Sequence, residues 1–223
     1  MQFRHEYKHE INYADMLDLR QRLRAVLKPD TVADGGKYIV RSLYFDNLSD
    51  KALRDKINGM ARREKFRIRY YNNDTTKINL EKKSKVNSLG TKQYARLTAE
   101  EVTKIVNGDY HFMAEDDKRP LLSELYSKIL SEGLMPKTIV DYKREAFTFP
   151  AGNVRVTLDY DIRTSPHIAD FLSEDYVSLP IESPVILEVK WDNFLPDIIK
   201  DIVWLEGRRT TSFSKYSSSR IYG

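Results

Sequence analysis

In the run Lys65-Phe66-Arg67-Ile68-Arg69-Tyr70 every odd residue is cationic and every even one apolar. Successive side chains of a strand point to opposite faces, so this run presents one basic face and one apolar face. The partition recurs along the chain. Arg4, Glu6 and Lys8 oppose Phe3, His5 and Tyr7; Glu81, Lys83 and Lys85 follow Ile78 and Leu80. Arg155 and Asp159 oppose Val154, Val156, Leu158 and Tyr160, and Glu188 and Lys190 oppose Leu187, Val189 and Trp191. On these ionic faces cations outnumber carboxylates. Arg offers a planar fork for phosphate oxygens and Lys a compact charge, and rows of both at strand spacing suit a chain of phosphates better than an isolated one. The carboxylates Glu6, Glu81, Asp159 and Glu188 are hard oxygen ligands of the kind that hold Mg²⁺ or Mn²⁺. A metal so held neutralises charge at a transferring phosphoryl group.

Positioning these rows takes about eight strands and several helices. Phe3 to Ile11 reads as a strand, and Asn12 caps a helix with Met16, Leu19, Leu23, Val26 and Leu27 on one stripe. Further strands are expected over Tyr38 to Tyr44, Lys65 to Tyr71, Ile78 to Lys85, Gln93 to Leu97, Thr138 to Thr148, Val154 to Asp161 and Val185 to Trp191. Leu48 to Ile57 reads as a short helix, and Thr98-Ala99-Glu100-Glu101 is a capping box opening another that runs to Gly108. From Pro120 to Gly133, Leu121, Leu122, Leu125, Tyr126, Ile129 and Leu130 make a wide apolar face. A last helix spans Pro196 to Glu206 with Ile198, Ile199, Ile202 and Val203. The pattern is α+β, on a mostly antiparallel sheet or closed barrel.

Periodicity leaves two fates for the ionic faces. Half-buried antiparallel strands ordinarily put charge into water. The amphipathic helices, however, need an apolar surface to rest on, and if the sheet closes with helices outside, the ionic faces line its bore. A cationic bore is costly without an anionic occupant, because unpaired charges out of water lose several kcal/mol of solvation each.

Composition bounds the rest. The 223 residues read as one domain, 1–223, with 41% hydrophobic and 31% charged residues and a formal net charge of +4. The isoelectric point is near 9.0 and the mean hydropathy −0.56. Disorder does not fit this composition. The absence of cysteine excludes disulfides, thiolate metal sites and cysteine nucleophiles, and fits a reducing compartment. The N-terminal residues carry no secretory signal, and the longest apolar run, Ile202 to Leu205, is far too short to span a bilayer. A cytoplasmic location is expected.

Eight segments taken in order resemble the VTC-type polyphosphate polymerase domain, a branch of the triphosphate tunnel metalloenzymes, within the CYTH-like superfamily. They are Arg4 to Lys8, Ser42 to Asp46, Lys65 to Tyr70, Leu80 to Lys83, Tyr142 to Phe147, Val154 to Asp159, Leu187 to Lys190 and Phe213 to Ser217. The resemblance runs from Phe3 to about Tyr222. It implies a closed antiparallel barrel forming a tunnel, with helices packed outside. There a divalent metal, Mn²⁺ or Mg²⁺, assists transfer of the γ-phosphate of ATP to a growing polyphosphate chain, with pyrophosphate or polyphosphate as partners. It assigns basic tunnel roles to Lys8, Arg67, Arg69, Lys83, Lys92, Arg144, Arg155, Lys190 and Lys215, and metal binding to Glu188. Glu6 falls in the superfamily's opening ExExK motif, but Arg4 replaces its first glutamate, which leaves fewer metal ligands on the entrance strand. The membrane segments and phosphate-sensing helical domain of eukaryotic versions are absent from these residues. The expectation is a lone soluble catalytic unit, with a membrane-protein partner left open.

Arg4, Lys65, Lys85 and Ser217 complete the expected substrate contacts. Ser217 belongs to a serine run that also reads as a solvated tail, and Glu81 and Asp159 read equally as ion-pair partners. His5 and His9 read as packed or surface imidazoles, and His111 and His167 as loop residues without a role. Among Tyr70, Tyr126, Tyr142 and Tyr160, read mainly as packing, nothing selects one to stack on a nucleobase. Two other functions share these residues: a triphosphatase, in which water replaces the acceptor, and a non-catalytic polyphosphate-binding module. Nucleic-acid reading by an open sheet is disfavoured, because the aromatics are expected on the strand faces opposite the basic residues.

Overall fold

The computed structural model describes residues 4–30, 36–86, 89–205, 207 and 213–222. Its strands are β1 (His5–Ile11), β2 (Lys28–Pro29), β3 (Lys37–Asp46), β4 (Arg62–Tyr71), β5 (Ile78–Val86), β6 (Leu89–Leu97), β7 (Met135–Phe149), β8 (Val154–Ser165), β9 (Leu179–Pro180) and β10 (Val185–Trp191). Its helices are α1 (Tyr13–Val26), α2 (Lys51–Ile57), α3 (Ala99–Val106), α4 (Pro120–Glu132), α5 (Asp197–Val203) and α6 (Lys215–Tyr222). Among the described residues no helix is long and apolar enough to cross a membrane.

The chain forms two compact units. One comprises residues 1–39, 142–162 and 182–214; the other comprises 40–141, 163–181 and 215–223. Strands β3, β7 and β8 are divided between them. In the first unit the hydrogen-bonded order is β1-β10-β8-β7, and in the second β7-β3-β4-β5-β6. The pairs β1/β10, β10/β8, β3/β4, β4/β5 and β5/β6 are all antiparallel. The expected α+β class and antiparallel sheet are what the structure shows. The strand order runs from β1 to β6.

Each unit buries its own core. In the first, Met16, Leu19 and Leu23 of α1 and Ile199 and Val203 of α5 pack on Ile11, Val154, Val156, Leu158, Leu187 and Val189. In the second, Val102 and Ile105 of α3 and Leu121, Leu122 and Leu125 of α4 pack on Leu43, Phe45, Phe66, Ile68, Ile78, Leu80, Ala95 and Leu97. Asn12 with Asp15, and Thr98 with Glu101, form reciprocal capping boxes at α1 and α3.

Several boundaries differ from expectation for local reasons. Helix α2 starts at Lys51 rather than Leu48, because the Asn47 side chain accepts from Lys51 N–H and the Asp46 carboxylate from Ala52 and Leu53. Leu48 is left exposed. Helix α5 begins after Pro196 and gives way to extended backbone at Trp204; Glu206 lies outside the described residues, as does Phe3 of the expected first strand. Leu130 and Ile198 point to solvent, so the apolar stripes of α4 and α5 are narrower than their sequences suggest. Strand β6 extends back to Leu89, which places Lys92 inside it.

Candidate functional site

In the first unit, register sets Glu6 opposite Lys190 and Lys8 opposite Glu188 across β1 and β10, with Lys190 opposite Arg155 across β8. Charges of alternating sign therefore stand side by side on one sheet face. Lys8 Nζ lies 2.6 Å from Glu6 and 3.1 Å from Glu188, while Lys190 Nζ lies 2.8 Å from Glu188 and 3.7 Å from Glu6. Arg144 reaches the cluster from β7. It donates to both oxygens of Asp159, through Nε at 2.6 Å and Nη2 at 2.7 Å, and the same Nη2 lies 3.8 Å from Glu188. Burial by itself would raise Glu188, but Lys190, Lys8 and Arg144 hold it well below the usual carboxylate range. Burial works against the charge of Lys8, and Glu188 and Glu6 overcome it to raise the ammonium above its ordinary value.

Not every cation predicted for this unit joins the cluster. Arg155 turns to Asp30, at 2.6 Å, and donates to the Tyr38 hydroxyl at 2.9 Å. Arg4 is paired with Asp192 at 2.9 Å and donates to the Asn153 carbonyl.

In the second unit the cations stand in rows. Lys65, Lys83 and Lys92 are directly opposite one another on β4, β5 and β6. One step along come Tyr44, Arg67, Glu81 and Tyr94, and one step further Ser42, Arg69, Asn79 and Arg96; in the other direction Arg63 faces Lys85. Like charges directly opposite each other destabilise a sheet, so a row of three lysines marks a surface built for negative charge. The carboxylate in the middle is Glu81. Arg67 grips it at 2.6 and 2.7 Å, Lys92 at 2.7 Å, and Arg69 stands 3.8 Å away while donating to Ser42 at 3.0 Å. Burial opposes ionisation of Glu81, but Arg67, Arg69 and Lys92 pull its carboxyl down to about 2. The neighbouring Lys82 projects from the other sheet face to Glu64, 3.0 Å away, and to Glu124 of α4. This parity is what distinguishes it from Lys83.

Tyr44 lies in the Ser42 to Asp46 segment, on the face of the cationic rows. Its buried hydroxyl accepts from Arg67 at 3.2 Å. Burial would raise this phenol, yet the charges of Arg67, Arg69 and Lys65 bring it down to about 7. Its ring stacks on Tyr216 of α6, with centroids 5.2 Å apart, and Tyr216 donates to Asp46 at 2.6 Å. That stack brings the first turn of α6, which includes Lys215 and Ser217, to the tyrosine that accepts from Arg67. The signal that could have found Tyr44 is its alternation with the core residues Leu43 and Phe45. Tyr44 and Tyr94 also correct the expected segregation of aromatics from cations. It holds on β4, where Phe66, Ile68 and Tyr70 are in the core, and fails on β3 and β6.

Among the described residues no three His, Asp or Glu side chains gather into a metal cage. Glu6 and Glu188 come together around Lys8 and Lys190, whereas Asp159 is held by both nitrogens of Arg144 and Glu81 by its own cations. Two carboxylates suit Mg²⁺ or Mn²⁺, which complete their shells with water and substrate phosphate. Glu6 and Glu188 are the residues that would hold such an ion.

Comparison with known proteins adds three findings. The sequence model of the VTC domain family matches residues 3–221. Among curated proteins, none matches significantly. Of solved structures, a candidate adenylate cyclase from Bacillus halodurans is similar with a TM-score of 0.52 at 12% identity, over 91% of this chain and 85% of that one. The PH1819 protein of Pyrococcus horikoshii covers 96% of this chain and 97% of its own, with a TM-score of 0.49 and 12% identity. At such identity the Bacillus likeness shows the fold alone.

Proposed function

The chain belongs to the VTC domain family, and from that premise we propose that it is a metal-dependent polyphosphate polymerase that uses ATP. The observation that carries the reading is the register of Lys65, Lys83 and Lys92 across three neighbouring strands, backed one step along by Arg67 and Arg69. Same-face neighbours along an antiparallel strand lie ~6.8 Å apart, so these rows follow a phosphate chain along its length. The closed barrel expected from the sequence is part of this proposal, since enclosure holds bulk water off the γ-phosphate.

In the transfer, a terminal oxygen of the acceptor phosphate forms a bond to the γ-phosphorus. The bond from that phosphorus to the β-bridging oxygen breaks, and ADP leaves with the electron pair. No side-chain nucleophile is required, because phosphoryl transfer is catalysed by alignment and charge neutralisation. In the second unit, Arg67, Arg69 and the lysine row are assigned the binding and orientation of phosphate oxygens; in the first, taken by itself, Lys8, Lys190 and Arg144 supply fixed positive charge beside Glu188. Glu6 and Glu188 would hold Mg²⁺ or Mn²⁺, which supplies Lewis-acid neutralisation of the transferred group.

The test is to incubate the protein with ATP and Mn²⁺, with and without pyrophosphate, and separate the products on a gel. A ladder of phosphate chains supports the polymerase. Release of orthophosphate alone would make it a triphosphatase, and no turnover with any triphosphate would reduce it to a binding module.

A further inference from the structure

The cationic rows of the second unit carry one large aromatic side chain left open to solvent. Tyr94 lies on β6 between Lys92 and Arg96, which share its sheet face, while Ala95 and Leu97 of the same strand are buried in the core. It stands directly opposite Glu81, and Lys92 and Arg96 reach across to Glu81 and Asn79 at 2.7 and 3.3 Å. Tyr94 is 74% exposed. A lone exposed tyrosine is ordinary; its setting singles this one out. Tyr44, the other tyrosine of these rows, is buried under Tyr216, and Tyr70 faces the core.

We infer that Tyr94 is the platform on which the nucleobase of a bound nucleoside triphosphate stacks. The inference rests on the triphosphate-binding part of the function proposed above. The next same-face positions along β6 are ~6.8 Å from Tyr94, comparable with the reach from a base across its ribose to the α-phosphate. A base lying on the ring therefore leaves its phosphates among Lys92, Arg67 and Lys83. Every base has a π-face, so stacking reads none of the hydrogen-bonding edges. GTP is expected to bind about as well as ATP.

Inorganic tripolyphosphate carries the same phosphates without a base and is the natural control. Calorimetric titration of the wild type, Tyr94→Ala and Tyr94→Trp with ATP and with tripolyphosphate separates the contributions. Tyr94→Ala is expected to weaken ATP binding about tenfold and leave tripolyphosphate unchanged. Tyr94→Trp is expected to retain ATP affinity, with indole fluorescence quenched by ATP and not by tripolyphosphate. Equal loss for both ligands, or no loss for ATP, would overturn the inference. A wild type that binds ATP but makes no phosphate ladder would remove the polymerase reading, and selective loss of ATP in Tyr94→Ala would still uphold the stacking role.

Discussion

Lys8 and Glu188 stand directly opposite each other on β1 and β10, with Nζ and Oε1 3.1 Å apart. The pair is not isolated, since Glu188 also faces Lys190 and Arg144, and Lys8 also faces Glu6. Glu188 thus balances three cations in a largely buried place. Under the proposed function, a bound triphosphate would give those cations a second anionic partner, and Glu188 would be one of the residues that hold the metal.

Replacing Glu188 by Gln separates the two duties. The amide keeps the shape and removes the charge, so Lys8, Lys190 and Arg144 are left with less compensation and triphosphate binding should be retained or tightened. Turnover with Mn²⁺ should fall by about 100-fold or more, the scale of losing a group that acts on transition-state charge. Binding titration and single-turnover assays together check this. Full activity in Glu188→Gln would remove Glu188 from the metal site.

Tyr44 predicts a proton coupling. Arg67, Arg69 and Lys65 overcome the effect of burial and hold its phenol at about 7, against about 10 in the unfolded chain. Between those values the unfolded state binds the extra proton, so folding stability gained from this group rises with pH and is complete above 10. Below pH 7 both states are protonated and the contribution is gone. Tyr44→Phe should abolish a phenolate absorbance that titrates near pH 7. Triphosphate binding at pH 8 should take up a proton, because ligand charge screens the three cations. An enthalpy of binding that does not vary with buffer ionisation would contradict this.

The sequence reveals which face each charge takes and little of what it meets. Period-two alternation alone sends Phe66 and Ile68 into the core and Arg67 to the ionic face, and both placements hold. Register is different. The row Lys65, Lys83 and Lys92 depends on the turns between strands, of which Asn72 and Asn73, both left-handed at φ 50° and 56°, close the first. Gly90 disguised the start of β6, since glycine is depleted in strands. Tyr44 escaped because an uncharged side chain carries no ionic pattern. The cap of α2 escaped because Asp46 reaches six and seven residues ahead. The division into two units is invisible to periodicity, because the cut runs through β3, β7 and β8.

Two glycines test the backbone. Gly152, between β7 and β8, has φ +72°, and a Cβ there would lie 2.2 Å from the Phe194 carbonyl oxygen. Gly133, closing α4, has φ +65° with nothing within 4 Å. Gly133→Ala should cost about 1 kcal/mol, the penalty of the left-handed conformation alone. Gly152→Ala must also displace main chain and should cost about 3 kcal/mol, lowering the melting temperature by roughly 6–12 °C. Equal melting temperatures for the two variants would contradict the close approach of Phe194.

Arg67, Arg69 and Lys92, the cations proposed to bind phosphate, converge on Glu81. A ligand must therefore compete with it for those cations. Glu81→Gln should bind triphosphate about tenfold more tightly, a gain of roughly 1.4 kcal/mol, while losing about 2 kcal/mol of stability in the unliganded protein because buried cations are left without their counter-charge. The pH dependence follows from the depressed carboxyl. Its stabilising contribution is complete above the unfolded value near 4.3 and is lost as pH falls through about 2. Acid unfolding of Glu81→Gln should accordingly be less steep in that window. If the variant instead binds triphosphate more weakly, Glu81 acts as an organiser of Arg67 and Lys92 rather than as a competitor. The affinity measurement, made at one fixed ionic strength, decides between those roles, because removing a competitor raises the association constant and removing an organiser lowers it.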